Sequence, residues 1–297
     1  MIDMQVLPVE FVSTALRMVK ELDNIQIGLT DLEPSSQAAR ENEASIRWGV
    51  VDPTSDLLTI PGACVRLLLT AGAAREHLLS CISLLASNAE RTPMNSIQAL
   101  CRMSLEASSA ALWLCSNRIS WEERLRRHSQ LRLRSADTSL KEGETGAIGA
   151  PTSAEVRQEI EEDRLECDTV MGFIHRRGWT CRKGRNAGKT PTIKQWLNEL
   201  PNHSEMLMEA AEIASLPPEY MRALYKISSR SVHADPVIMA SGSTDEDEAS
   251  RLSLSMAATG TTLAFYGVAW QWIASWCSIP YPYETIASCQ SQLDRFI

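Results

Sequence analysis

Residues 92–117, TPMNSIQALCRMSLEASSAALWLCSN, carry two charges, Arg102 and Glu106, in an otherwise uncharged stretch. Apolar residues recur here at three- and four-residue spacing, the period of a helix that buries one face, and alternation over a strand length is absent. Thr92-Pro93 opens the helix and it runs to about Ser116. Arg102 and Glu106 then stand one turn apart on the same face, with Trp113 continuing the stripe. A carboxylate among Leu105, Ala110 and Leu112 is costly to bury alone, so Arg102 is expected to satisfy it, with an arginine of the following helix as a candidate second partner. Such a pair either fixes helix register or belongs to a ligand-binding or catalytic site.

The same period extends outward in both directions. Upstream, a helix over roughly Val9 to Leu22 precedes a polar, Pro-containing connection from Asp31 to Thr59 with room for one short helix. Pro61 starts a long helix through Ser87, which packs antiparallel to the helix after Pro93 because the link between them is short. Downstream, Ser120 caps a helix to about Leu140, with Glu122 and Glu123 in its first turn. The glycine-rich KEGETGAIGAPTS reads as a surface loop, and a charged helix from about Ser153 to Arg177 follows it. Shorter helices are expected at Thr192–Leu200 and Ser204–Ala214, then a helix from Pro218 to Val232, a long apolar helix after the acidic turn Thr244–Glu248, and a closing helix over Tyr283–Phe296. The fold class is all-α: residues 1–60 form an N-terminal helix and irregular connection, and 61–297 a helical bundle with 141–190 as a loop and charged-helix insertion.

Composition narrows the function classes. The 297 residues hold 44% hydrophobic and 22% charged side chains, which excludes a disordered chain, and a net charge of −8 argues against a protein built wholly around nucleic acid or anionic membrane. Eight cysteines stand singly with no CxxC pair, as expected of buried thiols in a reducing, cytoplasmic compartment. Leu252 to Cys277 is uncharged and long enough to span a bilayer. Its Ser, Thr and Gln271, and the lack of flanking basic clusters, favour a buried central helix over membrane insertion.

Four further patterns bear on chemistry. GRNAGKT at 184–190 has one residue too few between its first glycine and GKT for a phosphate-binding loop, and it follows a helix where such a loop follows a strand. His77 and Cys81 have the spacing of two metal ligands, but two ligands make no site, so His77 is read as a core or groove histidine. No metal or other cofactor is expected. Two arginine-rich runs, Arg118/Arg124/Arg126/Arg127/Arg132/Arg134 and Arg176/Arg177/Arg182/Lys183/Arg185/Lys189, are either solvated surfaces or phosphate contacts. In EYMRALYKISSRSVHADP, Tyr225, Ser228, Ser229 and Val232 share a face, and His233 arrives at the helix end as an acid–base group or a capping histidine.

EHLLSCISLLAS, ALCRMSLEASSAALWL with its Arg-x3-Glu, and LYKISSRSVHADP with its Tyr-x2-Ser and terminal His together resemble a group of uncharacterised bacterial HEPN-like helical proteins. The resemblance covers about Cys64–Leu140 and Thr190–Pro236. It implies a helical bundle, often dimeric, with the Arg-Glu helix near the His-bearing helix, and in the best-known members metal-independent RNA cleavage by an Arg and a His separated by four to six intervening residues. Here that window before His233 holds Lys226, Ile227 and Ser228, and the nearest arginines are Arg230 and Arg222. Two functions are therefore expected as alternatives. One is a self-associating ligand- or partner-binding protein whose groove involves Arg102, Glu106, Tyr225, Ser228 and His77 and takes a small molecule or a partner protein. The other is a ribonuclease or RNA-directed effector with His233, Lys226 and Arg230 at the reacting phosphate and Arg124, Arg127, Arg182, Lys183, Arg185 and Lys189 holding the backbone.

Overall fold

A computed structural model describes residues 7–25, 32–47, 58–87, 93–146, 153–182, 186–232 and 245–296. Every regular element among them is helical: α1 (Leu7–Asp23), α2 (Gln37–Arg47), α3 (Ile60–Ala86), α4 (Met94–Cys115), α5 (Trp121–Gly146), α6 (Ala154–Arg176), α7 (Ile193–Leu197), α8 (His203–Ile213), α9 (Pro218–Val232), α10 (Asp245–Cys277) and α11 (Tyr283–Leu293), then a 3-10 turn over Asp294–Phe296. Local chemistry sets several starts. Ser120 accepts from the Glu123 N–H, Ser153 from Val156, and Thr192 forms a reciprocal capping box with Gln195.

The largest departure from the expected boundaries is at the end of α5, where helix continues six residues past Leu140 into the glycine-rich stretch. Lys141 pairs with Asp137 one turn back and Thr145 bonds the Lys141 carbonyl, so the helical register holds. Gly143 does not end the helix but allows α6 close: a Cβ there would stand 2.9 Å from Ile160 Cγ1. Residues 147–152 of that stretch lie outside the described residues.

The chain divides into two compact units, Met1–Arg40 with Leu67–Asn117 and His203–Ile297, and Glu41–Arg66 with Arg118–Asn202. In the first, α4 is the centre, packed by α8, α9 and α10. Leu105 and Leu112 of α4 meet Leu207, Ala210 and Ala211 of α8, Met221 of α9 and Phe265 and Ala269 of α10 in one buried cluster. α3 runs antiparallel to α4: Ser104 donates to the Ala74 carbonyl, and Cys81 lies against the Ile97 carbonyl and Cys101. α10 contains the one described segment apolar and long enough to cross a membrane, with 61% of that window buried. α1 packs on α11 and α10, with Phe11 edge-on to Phe296 at 5.8 Å.

The second unit is built on the α5–α6 pair, with α7 against α5. Its interior is aromatic and ionic. Trp179 and Trp196 stack at 5.9 Å, Phe173 meets Trp179 edge-on, and the Arg126 guanidinium sits 3.9 Å from the Trp196 ring centre. The unit thus takes in the 141–190 segment together with α5, α7 and residues 41–66.

Candidate functional site

The two charges of α4 converge with α9 in the first unit. Arg102 Nε donates to Glu106 Oε1 at 2.8 Å, Nη1 to Ser229 Oγ at 3.2 Å and Nη2 to the Tyr225 hydroxyl at 3.5 Å. Tyr225 in turn donates to Glu106 Oε1 at 2.8 Å, and its ring lies 5.2 Å from the guanidinium carbon. Arg102 satisfies Glu106 as expected, and the second partner is a tyrosine of α9, where an arginine of the next helix had been the candidate. The four side chains fix one another, so the guanidinium is held in a single orientation.

Arg102 and Glu106 each retain 20% of their side-chain exposure, so the cluster is open to solvent on one side. A guanidinium has five N–H donors. Three are engaged here, and two meet no acceptor among the described residues. Burial pulls the Arg102 pKa down, but the bond and charge of Glu106 and the contact with Tyr225 outweigh it and leave it above the ordinary arginine value. Burial, then the Glu106 bond and charge, raise the Tyr225 pKa against the pull of Arg102. Tyr225 thus stays a neutral donor.

Not all expected residues join this cluster. Ser228 is fully buried with its hydroxyl unpartnered among the described residues, and Ser229 makes the bond instead. The reason is helical: 229 is one full turn from Tyr225, whereas 228 is rotated inward. His77 is half-buried on α3 and bonds no described residue, while Cys81 lies against Cys101. No group of three or more potential metal ligands occurs among the described residues. Lys226 is exposed on α9, as is Arg222, three residues before Tyr225. The Arg230 side chain and all of His233 lie outside the described residues.

No motif or spacing marks His203. It opens α8, 42% exposed, with Nδ1 3.9 Å from Glu106 Oε2, an ion pair when the imidazole is protonated. Only the packing of α8 on α4 places it there.

The arginine-rich runs meet in the second unit, but on carboxylates. Arg124 is fully buried and bidentate on Glu41, at 2.7 and 3.3 Å. Arg126 pairs with Glu199 and also donates to the Thr180 carbonyl. Arg127 and Arg182 share Glu123, and Arg132 holds both oxygens of Glu166. Lys189 is exposed, while Lys183 and Arg185 lie outside the described residues. In the GRNAGKT segment Gly188 adopts φ +78° and donates to the Cys181 carbonyl, with Cys181 returning a bond to Lys189. That glycine serves a left-handed turn, and its N–H is already used.

No protein-family model, curated protein or solved structure matches this chain.

Proposed function

We propose that this is a HEPN-like helical protein that binds a small molecule through an anionic group, carboxylate or phosphate, at the Arg102 fork. One observation carries the reading: a half-buried guanidinium, oriented by Glu106, Ser229 and Tyr225, has two N–H donors that meet no acceptor among the described residues, at an opening to solvent. Planar bidentate recognition of an oxyanion needs such a pre-oriented fork. Arg102 and Glu106 cancel in charge, and exposed Arg222 and Lys226 on the adjoining stretch of α9 add positive potential. The basic runs favour RNA less, because their described arginines are largely engaged by carboxylates. Eight buried free thiols fit a cytoplasmic setting.

The test is a thermal-shift and calorimetric titration of the full chain with inorganic phosphate, small mono- and dicarboxylates and nucleoside monophosphates. At least one probe is expected to stabilise the protein, with Arg102→Gln weakening binding tenfold or more and His77→Ala behaving as the parent. Absence of any shift, or equal binding by Arg102→Gln, would defeat the reading. Cleavage of single-stranded RNA in EDTA, lost in His233→Ala, would replace it with a metal-independent ribonuclease, and size-exclusion chromatography reads the expected self-association.

A further inference from the structure

Where α3 and α4 cross in the first unit, two thiols are in contact. Cys81 Sγ lies 3.8 Å from Cys101 Sγ, and both side chains are completely buried. The helices approach closely here, because short side chains of each reach the backbone of the other: Ser104 bonds the Ala74 carbonyl at 3.0 Å and Cys81 the Ile97 carbonyl at 3.6 Å. Helices this close suit a disulfide, which joins Cα atoms roughly 4.4–6.8 Å apart. From 3.8 Å, rotation about the Cα–Cβ bonds has to bring the sulfurs to the bonded distance of about 2.05 Å.

The two thiols are not equivalent. Cys101 also has the Thr259 hydroxyl of α10 at 3.8 Å, whereas Cys81 faces a carbonyl, which only accepts. An S–H and a hydroxyl favour negative charge on sulfur, and a carbonyl opposes it. The Cys81 S–H holds the Cys101 pKa below the ordinary thiol value, opposed by burial and helped by the hydroxyls of α10, while the same contact and burial push Cys81 up. The first thiolate of the pair thus forms on Cys101, and the thiolate is the nucleophile. Each cysteine also lies within about two turns of a helix end, Ala86 of α3 or Met94 of α4, where local opening costs least.

We propose that Cys81 and Cys101 are a site of reversible oxidative modification, converted by hydrogen peroxide into a disulfide that staples α3 to α4. The Cys101 thiolate attacks one peroxide oxygen, the O–O bond breaks, and the leaving hydroxide takes up the thiol proton as water, so Cys101 becomes a sulfenic acid. The Cys81 sulfur then attacks the Cys101 sulfur. The S–O bond breaks, and hydroxide departs with the Cys81 proton as a second water. Two thiols and one hydrogen peroxide give one disulfide and two waters, the sulfurs losing the two electrons that the peroxide gains. A dithiol reductant reverses the change by exchange, so in a reducing compartment the bond is transient.

The experiment exposes the full-length chain to hydrogen peroxide without denaturant, blocks the remaining thiols with N-ethylmaleimide in urea, and maps the unreduced tryptic peptides by mass spectrometry. Cleavage at Arg75, Arg91 and Arg102 puts the two cysteines on separate peptides, so their bond joins residues 76–91 to 92–102. This pair is expected at least tenfold above any other cysteine pairing, and dithiothreitol should remove it. Cys81→Ser should leave Cys101 as a sulfenic acid that dimedone traps, and Cys167→Ser should crosslink as the parent does. Recovery of both cysteines as maleimide adducts, dominance of another pairing, or a bond that forms as readily in urea as in the folded chain would each overturn the proposal.

Discussion

The two units solve the same problem with different materials. Around α4 the core is leucine, alanine, cysteine and small hydroxyl side chains, and the charged cluster stands at its margin, one-fifth exposed. In the α5–α6 unit the charges are inside: Arg124 is completely buried and Arg126 nearly so, each on a glutamate distant in sequence. Apolar packing is tolerant of partner identity. A buried guanidinium is not, because its desolvation is repaid only while its carboxylate stays in place.

The sharpest way to break the comparison is Arg124→Met. Taking the guanidinium away from the Glu41 carboxylate in the interior should cost about 3–5 kcal/mol, whereas the double variant Arg124→Met/Glu41→Leu should recover most of it. Urea unfolding followed by tryptophan fluorescence measures both, and a single variant within 1 kcal/mol of the parent, on the order of an exposed pair, would show the bridge to be dispensable. On the other side, Leu105→Ala in the apolar cluster should cost about 2–5 kcal/mol. No second substitution of a single partner should rescue it, since the cavity has many walls.

Arg102→Gln should have a smaller effect on stability, about 1 kcal/mol, because the cluster is partly solvated and Tyr225 still satisfies Glu106. A loss above that of Leu105→Ala would make the cluster a structural keystone instead of a site. The smallest effect concerns pH. Burial raises the pKa of Tyr225, Tyr266 and Tyr281 above the ordinary phenol value. The unfolded phenols ionise first, so this contribution to stability is complete below pH about 10 and is lost as pH rises through the folded values. Tyrosinate absorbance should lag in the folded state, and Tyr225→Phe should remove one late phenol.

Much of the fold could be read locally. Helical periodicity, caps at Ser120, Ser153 and Thr192, and the prolines before α4 and α9 are properties of neighbouring residues. Gly143 misled because a glycine that ends a helix and one that lets another helix approach look alike until Ile160 is in place. In the site, Arg102 and Glu106 announced themselves as the only charges in an apolar stretch, and Tyr225 by its spacing. His203 and the choice of Ser229 over Ser228 depend on how α8 and α9 rotate onto α4, which no local pattern encodes. The arginine runs were visible, but their partners Glu41, Glu166 and Glu199 were not.

Gly267 of α10 is where the early and late parts of the first unit meet. A side chain there would stand 2.8 Å from Met18 Cε of α1, and its carbonyl accepts the Tyr281 hydroxyl just before α11. Arg17 also reaches Cys289. During synthesis α1 precedes its docking surface by more than two hundred residues. α1 must therefore wait with its apolar face uncovered until that surface has been made, and closure of this unit is dominated by contacts of long sequence separation.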